Sequence, residues 1–415
     1  MNTLNNKKTV IFINIFLEVN GIVTLALRKA KWLIERGYKV YFITSLHGTM
    51  HKEFQDIGVN FIYDTVIGHP PCTMLISDLL NLINNIINKI NKMDDVFVIE
   101  SFTPIETVYG LIIANLVGTK LITGIYHPQQ YTTGHYMKNQ NFKKLIFLLE
   151  KNNAILFMNN DVIEAHEKFY DFNINNKNIL PIPVEIKKYK KINKRNNEFN
   201  ILSIGRLCDF KKYVYGLISD FDKFYKEHSN SKIIIIGDGI EKKKLIKYAR
   251  SFKSYKEGKI YFLGTIQYSE LDKYIYNASM VVGMGTSLLE MASTGVPSII
   301  APAFVEHNIS NGFNFEDDNV GDEKNSCTKT YLDYMELLYN CNDEEYEKIG
   351  KQCRQAVIDK YSIDNIMSQW LNKVDECKPI VLSAPLDDFV QRSPLRIFLS
   401  MKKRKLEGKL RKFVR

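Results

Sequence analysis

Short apolar runs rich in valine and isoleucine alternate with helix patterns along almost the whole chain, from Thr9-Val10-Ile11-Phe12-Ile13 to Ser298-Ile299-Ile300-Ala301. These runs have no polar alternate face, so each strand must be covered on both sides. Helical crossovers between parallel strands provide that cover. The pattern therefore predicts the α/β class, with doubly wound parallel sheets. Residues 9–45 hold a first strand–helix–strand unit. Ile22, Leu25, Ala26, Lys29, Ala30, Leu33 and Ile34 lie at helical spacing, all apolar except Lys29, and Gly37 stops the helix. Its opening turn carries Asn20-Gly21 rather than G-x-G-x-x-G, so a nicotinamide fingerprint is absent. Gly21 leaves room for a substrate at the helix start.

At 415 residues the chain exceeds one ordinary core, and two domains are expected. The N-terminal domain is read as 1–184. It continues with a helix over Ser77–Asn91, a strand ending on Glu100 and a helix over Ile105–Leu116. Two more strands follow, one running into His127-Pro128 and one at Ala154–Met158. Residues 185–199, rich in lysine and asparagine, read as a linker. The C-terminal domain is read as 200–376, with strands at 200–204, 232–236, 259–263, 278–282 and 298–301, and closing helices between Tyr331 and Lys373. Residues 377–415 form a basic tail.

Charge narrows the partners. Of the net +10, nearly all lies after Asp388, where ten lysines and arginines face Glu407 alone. The body is close to neutral, which argues against a nucleic-acid surface. The tail stretch Pro394–Leu406 mixes apolar and basic residues and reads as a peripheral anchor to anionic lipid, with a solvated or self-docked helix as the alternative. No apolar run approaches the ~18 residues of a membrane span. The polar N-terminus lacks a signal-peptide pattern, so the expected location is the cytoplasm, peripheral at the inner face of the membrane. The six cysteines are dispersed and form no Cys-x-x-Cys pair, so neither a disulfide framework nor a metal site is expected. Asp220-Phe221-Asp222 lies in a helix pattern, where residues two apart diverge; it reads as a solvated face, and no metal is implied.

The stretch Ala278–Pro297 carries the chemistry. A β run feeds Gly283-Met284-Gly285-Thr286, a short helix pattern holds Glu290, and Gly295 and Pro297 end it. Two glycines allow close backbone approach, and the helix start offers unpaired N–H groups to a phosphate. Glu290 one turn on would accept hydrogen bonds from ribose hydroxyls. Ser287-Leu288-Leu289-Glu290 is also a capping box, which would turn Glu290 back on its own helix. His127, at a strand's carboxyl end, stands where open α/β sheets place ligands; a structural histidine is the alternative. Glu100 also ends a strand and reads either as a cleft carboxylate or as a capping or surface group.

Gly205-Arg206-Leu207 with Lys211, Ile236-Gly237-Asp238-Gly239, Phe262-Leu263-Gly264 and Gly283 through Pro297 occur in an order that resembles the family 4 (group 1) glycosyltransferases. The resemblance covers about residues 200–302. It extends more loosely to the N-terminal half through Gly21, His127 and Pro181-Ile182-Pro183-Val184. It implies the GT-B fold: two Rossmann-like domains facing across a cleft, with Gly21 on the acceptor side, where the strand-end position of Glu100 also places that residue. It implies a donor site of Gly205, Gly283, Met284, Gly285, Thr286 and Glu290, with Arg206, Lys211 and His127 as catalytic groups. It implies a retaining, metal-independent transfer with no cofactor, from a nucleotide diphosphate sugar to a glycan or lipid-linked acceptor. The family pattern has two glutamates separated by seven residues, the first on the donor sugar and the second on the ribose. Glu290 matches the second; Val282 occupies the first. An inactive scaffold of the same fold is therefore a second reading, and a nucleotide-sugar epimerase a third. The asparagine, lysine and isoleucine bias points to an AT-rich bacterial genome and to surface-polysaccharide synthesis.

Overall fold

The computed structural model describes residues 8–18, 20–45, 48–65, 67–93, 95–132, 142–188, 198–267, 270–316, 320–321 and 328–382. The tail expected to anchor at lipid, and Cys327, lie outside these.

The first sheet holds β1 (Thr9–Ile13), β2 (Lys39–Thr44), β3 (Asn60–Tyr63), β4 (Val96–Ser101), β5 (Lys120–Ile125) and β6 (Ile155–Phe157). All neighbours are parallel, in the order β3-β2-β1-β4-β5-β6. The second holds β7 (Phe199–Ile204), β8 (Ser231–Ile236), β9 (Ile260–Gly264), β10 (Met280–Gly283) and β11 (Ser298–Ile300), parallel in the order β11-β10-β7-β8-β9. Helices follow the strands in both. Every residue of β1 is buried, as its unbroken apolar run requires.

Local sequence sets the helix ends. The Asn20 side chain accepts from the Ile22 and Val23 N–H groups at 2.9 and 3.0 Å and starts the helix Gly21–Glu35. Thr103 and Pro104 open the helix Pro104–Val117, and Gly118 closes it at φ +76°. The expectation omitted the short helix His51–Asp56 and the edge strand β3.

The chain forms two compact units, Pro183–Asn365 and the remainder. The domain expected to end at 376 therefore ends earlier. From Ile366 the helix Ile363–Glu376 belongs with the N-terminal sheet, and packing chemistry explains why. Trp370 is fully buried with its ring 4.5 Å from Lys29 Nζ, and Lys120 Nζ donates to the Val374 carbonyl at 2.8 Å. The ends of the expected linker are also tied down. Lys187 N–H donates to Ser293 Oγ at 3.0 Å, and Glu198 pairs with Lys232 at 2.5 Å and Lys259 at 3.3 Å.

Two carboxylate expectations are corrected. Asp220 and Asp222 are buried, not solvated. Asp220 accepts from Asn308 Nδ2 at 2.8 Å and the Leu332 N–H at 3.1 Å, while Asp222 accepts from the Ser254 N–H and Oγ at 2.9 and 2.8 Å. They do diverge, each anchoring a different neighbour of the helix Tyr213–Glu227. Glu100 does not face solvent at all. Both its oxygens bind Lys29 Nζ, at 2.5 and 2.7 Å, and both side chains are buried. Burial pushes Lys29 down and Glu100 up from their ordinary values, and their mutual attraction opposes both shifts.

Candidate functional site

In the C-terminal unit the chain runs β7, β8, β9 outward on one side and then returns to place β10 and β11 on the other. The order reverses between β7 and β10. At such a switch point the loops leaving two adjacent strands diverge and open a crevice at the carboxyl ends. The loop leaving β7 carries Gly205, Arg206 and Lys211; the loop leaving β10 carries Met284, Gly285 and Thr286. Ser287 Oγ donates to the Ile204 carbonyl at 3.1 Å and holds the two together.

Lys211 is the most informative of these groups. Its Nζ lies over Gly205, so close that a Cβ on that residue would stand 2.5 Å from it. Among the described residues no carboxylate pairs with it. Burial, with repulsion from Arg206 adding, lowers its pKa from 10.5 to about 8; Cys208 opposes this. Arg206 is exposed on the same loop, also without an acidic partner among the described residues. Two adjacent cations that the protein leaves uncompensated suit an anion from outside it.

The glycine turn after β8 has a packing explanation. A Cβ on Gly237 would stand 1.9 Å from the Gly205 carbonyl oxygen, and one on Gly239 2.1 Å from that of Leu207. The backbones of the two loops thus touch, and the Leu207 N–H donates to the Asp238 carbonyl at 2.9 Å. These glycines shape the Arg206 loop.

At β10 the turn needs Gly285, which sits at φ +67°. Its N–H donates to the Val320 carbonyl at 2.6 Å. The helix Thr286–Ala292 begins with no side-chain cap, and Ser287 Oγ is engaged by the Ile204 and Met284 carbonyls. The capping-box alternative for Glu290 is therefore not formed; Glu290 is half-buried on the same helix. Gly283 is a buried strand residue, and Met284 is buried with Cβ 2.6 Å from where a Gly321 Cβ would stand, so its side chain packs and only its backbone remains for a ligand. Val282 lies inside β10, opposite Ile299, and is fully buried in the apolar core. The strand continues through the position where the resemblance expects the first glutamate.

In the N-terminal unit the order reverses between β1 and β4. Gly21 is exposed at the first turn after β1, with nothing within 4 Å of where its Cβ would be. His127 is exposed after β5. Its Nδ1 accepts from the Gln129 N–H at 3.0 Å, so the neutral ring carries its proton on Nε2; desolvation lowers its pKa. Sequence reasoning missed the network beneath these residues. Buried Glu106 accepts from the Ile15 N–H at 2.8 Å and the Phe102 N–H at 3.1 Å, tying the exit of β1 to that of β4. Gln130 Nε2 donates to the Phe102 carbonyl at 3.0 Å and so ties in the exit of β5.

Two parallel sheets wound with helices define an α/β protein of the GT-B fold. Residues 185–355 match the family model "Glycosyl transferases group 1". The chain is 33% identical over 127 residues to the alpha-monoglucosyldiacylglycerol synthase of Acholeplasma laidlawii, a match covering 28% of this chain and 31% of that enzyme. Among solved structures, a glycosyltransferase of Rickettsia africae matches at 17% identity and a TM-score of 0.66, over 89% of this chain and 98% of that one. HepE of Anabaena, solved with UDP and glucose, matches at 13% identity and a TM-score of 0.61, over 89% and 99%. No helix among the described residues is long and apolar enough to cross a membrane.

Proposed function

We propose that this protein is a glycosyltransferase, moving a sugar from a nucleotide diphosphate sugar to a glycan or lipid-linked acceptor with retention of anomeric configuration, in assembly of a bacterial surface polysaccharide. The observation that carries the reading is the Lys211–Arg206 pair, two cations without acidic partners among the described residues, beside the turn after β10. When the sugar–phosphate bond breaks, negative charge accumulates on the leaving diphosphate. Fixed cations stabilise that charge more in the transition state than in the bound donor, which lowers the barrier. Glu290 binds the ribose, and the first N–H groups of its helix help to hold the phosphates. His127, as an Nε2–H donor, serves the acceptor or transferred sugar, and Gly21 leaves space for a substrate at its helix start. Since Arg206 and Lys211 supply the positive charge, the proposed reaction needs no metal. The matched Acholeplasma enzyme is named for a glucosyl-diacylglycerol product, which favours a lipid acceptor, and the HepE complex favours a uridine donor.

The second reading, a binding protein without catalysis, rests on Val282. The test incubates the protein with labelled UDP-sugars and membrane extract in EDTA. UDP release with a labelled product, its anomer read by NMR, is expected. Nucleotide binding without turnover of any sugar would support the second reading, and no binding of any nucleotide would sink the enzyme.

A further inference from the structure

The loop leaving β11 holds an unexplained conformation. Phe304 sits at φ +61°, the left-handed region that a bulky L-residue avoids because its Cβ crowds the backbone. The surroundings hold it there. Ala301 N–H donates to the Gly283 carbonyl at 2.7 Å, Ala303 N–H to the Gly321 carbonyl at 2.9 Å, and Phe304 N–H to the Phe210 carbonyl at 2.9 Å. Two residues on, Glu306 pairs with Lys212 at 2.8 Å. Burial of the ring does not offset the strain, since Phe304 is 55% exposed. A strained backbone that presents an apolar ring to solvent points to a ligand for that ring.

The ring is linked to Lys211 through Phe210. Its centroid is 6.3 Å from that of Phe210, and the Phe210 ring is 5.8 Å from Lys211 Nζ. The bond between Phe304 and Phe210 joins the loop leaving β11 to the loop leaving β7, on either side of β10, which ends at Gly283. In a nucleotide sugar the group bonded to the distal phosphate is the glycosyl ring, which has a C–H face as well as hydroxyls. An aromatic face, negative at its centre, attracts such C–H groups. Position 282, meanwhile, is fully buried inside β10 and presents no group to a ligand.

We propose that Phe304 is a specificity-determining residue of the donor site, an aromatic wall that takes the C–H face of the glycosyl group where position 282 supplies no carboxylate. This rests on the transferase reading above and adds the means by which the sugar is held.

The test is calorimetry on the full chain with UDP and with UDP-glucose, UDP-galactose and UDP-N-acetylglucosamine, taking the tightest sugar nucleotide. Phe304→Ala is expected to leave UDP affinity unchanged and to weaken the sugar nucleotide about tenfold. Phe304→Tyr keeps the ring and is expected to keep the affinity. Phe304→Gly relieves the strain; it is expected to raise the melting temperature while weakening the sugar nucleotide as alanine does, which separates the ring from the fold. Equal effects on UDP and its sugar, no effect on either, or a wild type that binds UDP but no UDP-sugar would overturn the inference alone. A wild type that binds no nucleotide would overturn the transferase reading and this inference with it.

Discussion

The charge-dependent task proposed for Lys211 falls on a group with a depressed pKa, and this has a measurable consequence. Near pH 8 the free protein holds a partly neutral amine. A bound diphosphate restores its charge, so UDP binding at pH 8 should take up a fraction of a proton and weaken as pH rises further. Calorimetry in buffers of different ionisation enthalpy measures that uptake, and Lys211→Ala should abolish it. Glu106 gives the opposite sense. Burial raises its pKa from 4.5 to about 7, though backbone N–H groups from Ile15 and Phe102 favour its charge. Its contribution to stability is full below pH 4.5 and is lost as pH rises through about 7. The loss amounts to about 3 kcal/mol at most. Denaturant unfolding at pH 5 and pH 8 should show this fall in the wild type and a smaller one in Glu106→Gln. These two residues differ in how far the sequence reveals them. Gly205-Arg206-Leu207 and Lys211 lie in one short loop, where spacing is informative. Thr103-Pro104-Ile105-Glu106 has the spacing of a capping box, and nothing local tells that its carboxylate also joins two strand exits.

Among elements, the helix Gly21–Glu35 shows why a pattern can be right and its meaning hidden. Periodicity places Lys29 on the apolar face, where it is indeed buried. Its partners Glu100 and Trp370 come from a strand and a helix far along the chain, beyond the reach of any window on the sequence. Lys29→Met should lower stability by about 3–5 kcal/mol, because it leaves Glu100 buried without its cation. Lys29→Met with Glu100→Leu should recover most of that loss. Denaturant titration of both variants checks this, and an additive loss would contradict it. Val282 is the counterpart at β10. Sequence comparison counts it as a missing carboxylate; the register with Ile299 shows a strand that runs through the position. Strand ends are poorly determined by composition, since a valine fits the last strand residue and the first loop residue alike.

At the scale of the molecule, the alternation of strands and helices made two doubly wound sheets legible, and the first crossing near residue 184 followed from composition. The return of the chain at Ile366 did not, because the helix Ile363–Glu376 has an ordinary amphipathic pattern and only its packing against Lys29 and Lys120 assigns it. The basic segment beyond Asp388 gives the whole molecule a second expected attachment. Removing residues 383–415 should release the protein from phosphatidylglycerol vesicles in a flotation assay while leaving UDP affinity intact. Full-length protein should bind those vesicles less in high salt, as screened charge requires. Salt-independent binding, or no change on removal, would assign membrane attachment elsewhere.

The central claim is that the switch point between β7 and β10 holds a nucleoside diphosphate on Arg206, Lys211 and Glu290. Its most direct test is UDP binding by calorimetry to the wild type and to Arg206→Ala, Lys211→Ala and Glu290→Ala. Saturable one-to-one binding by the wild type, weakened about tenfold or more by each replacement, is the expected result. Unchanged affinity in all three variants, or no binding by the wild type, would contradict it.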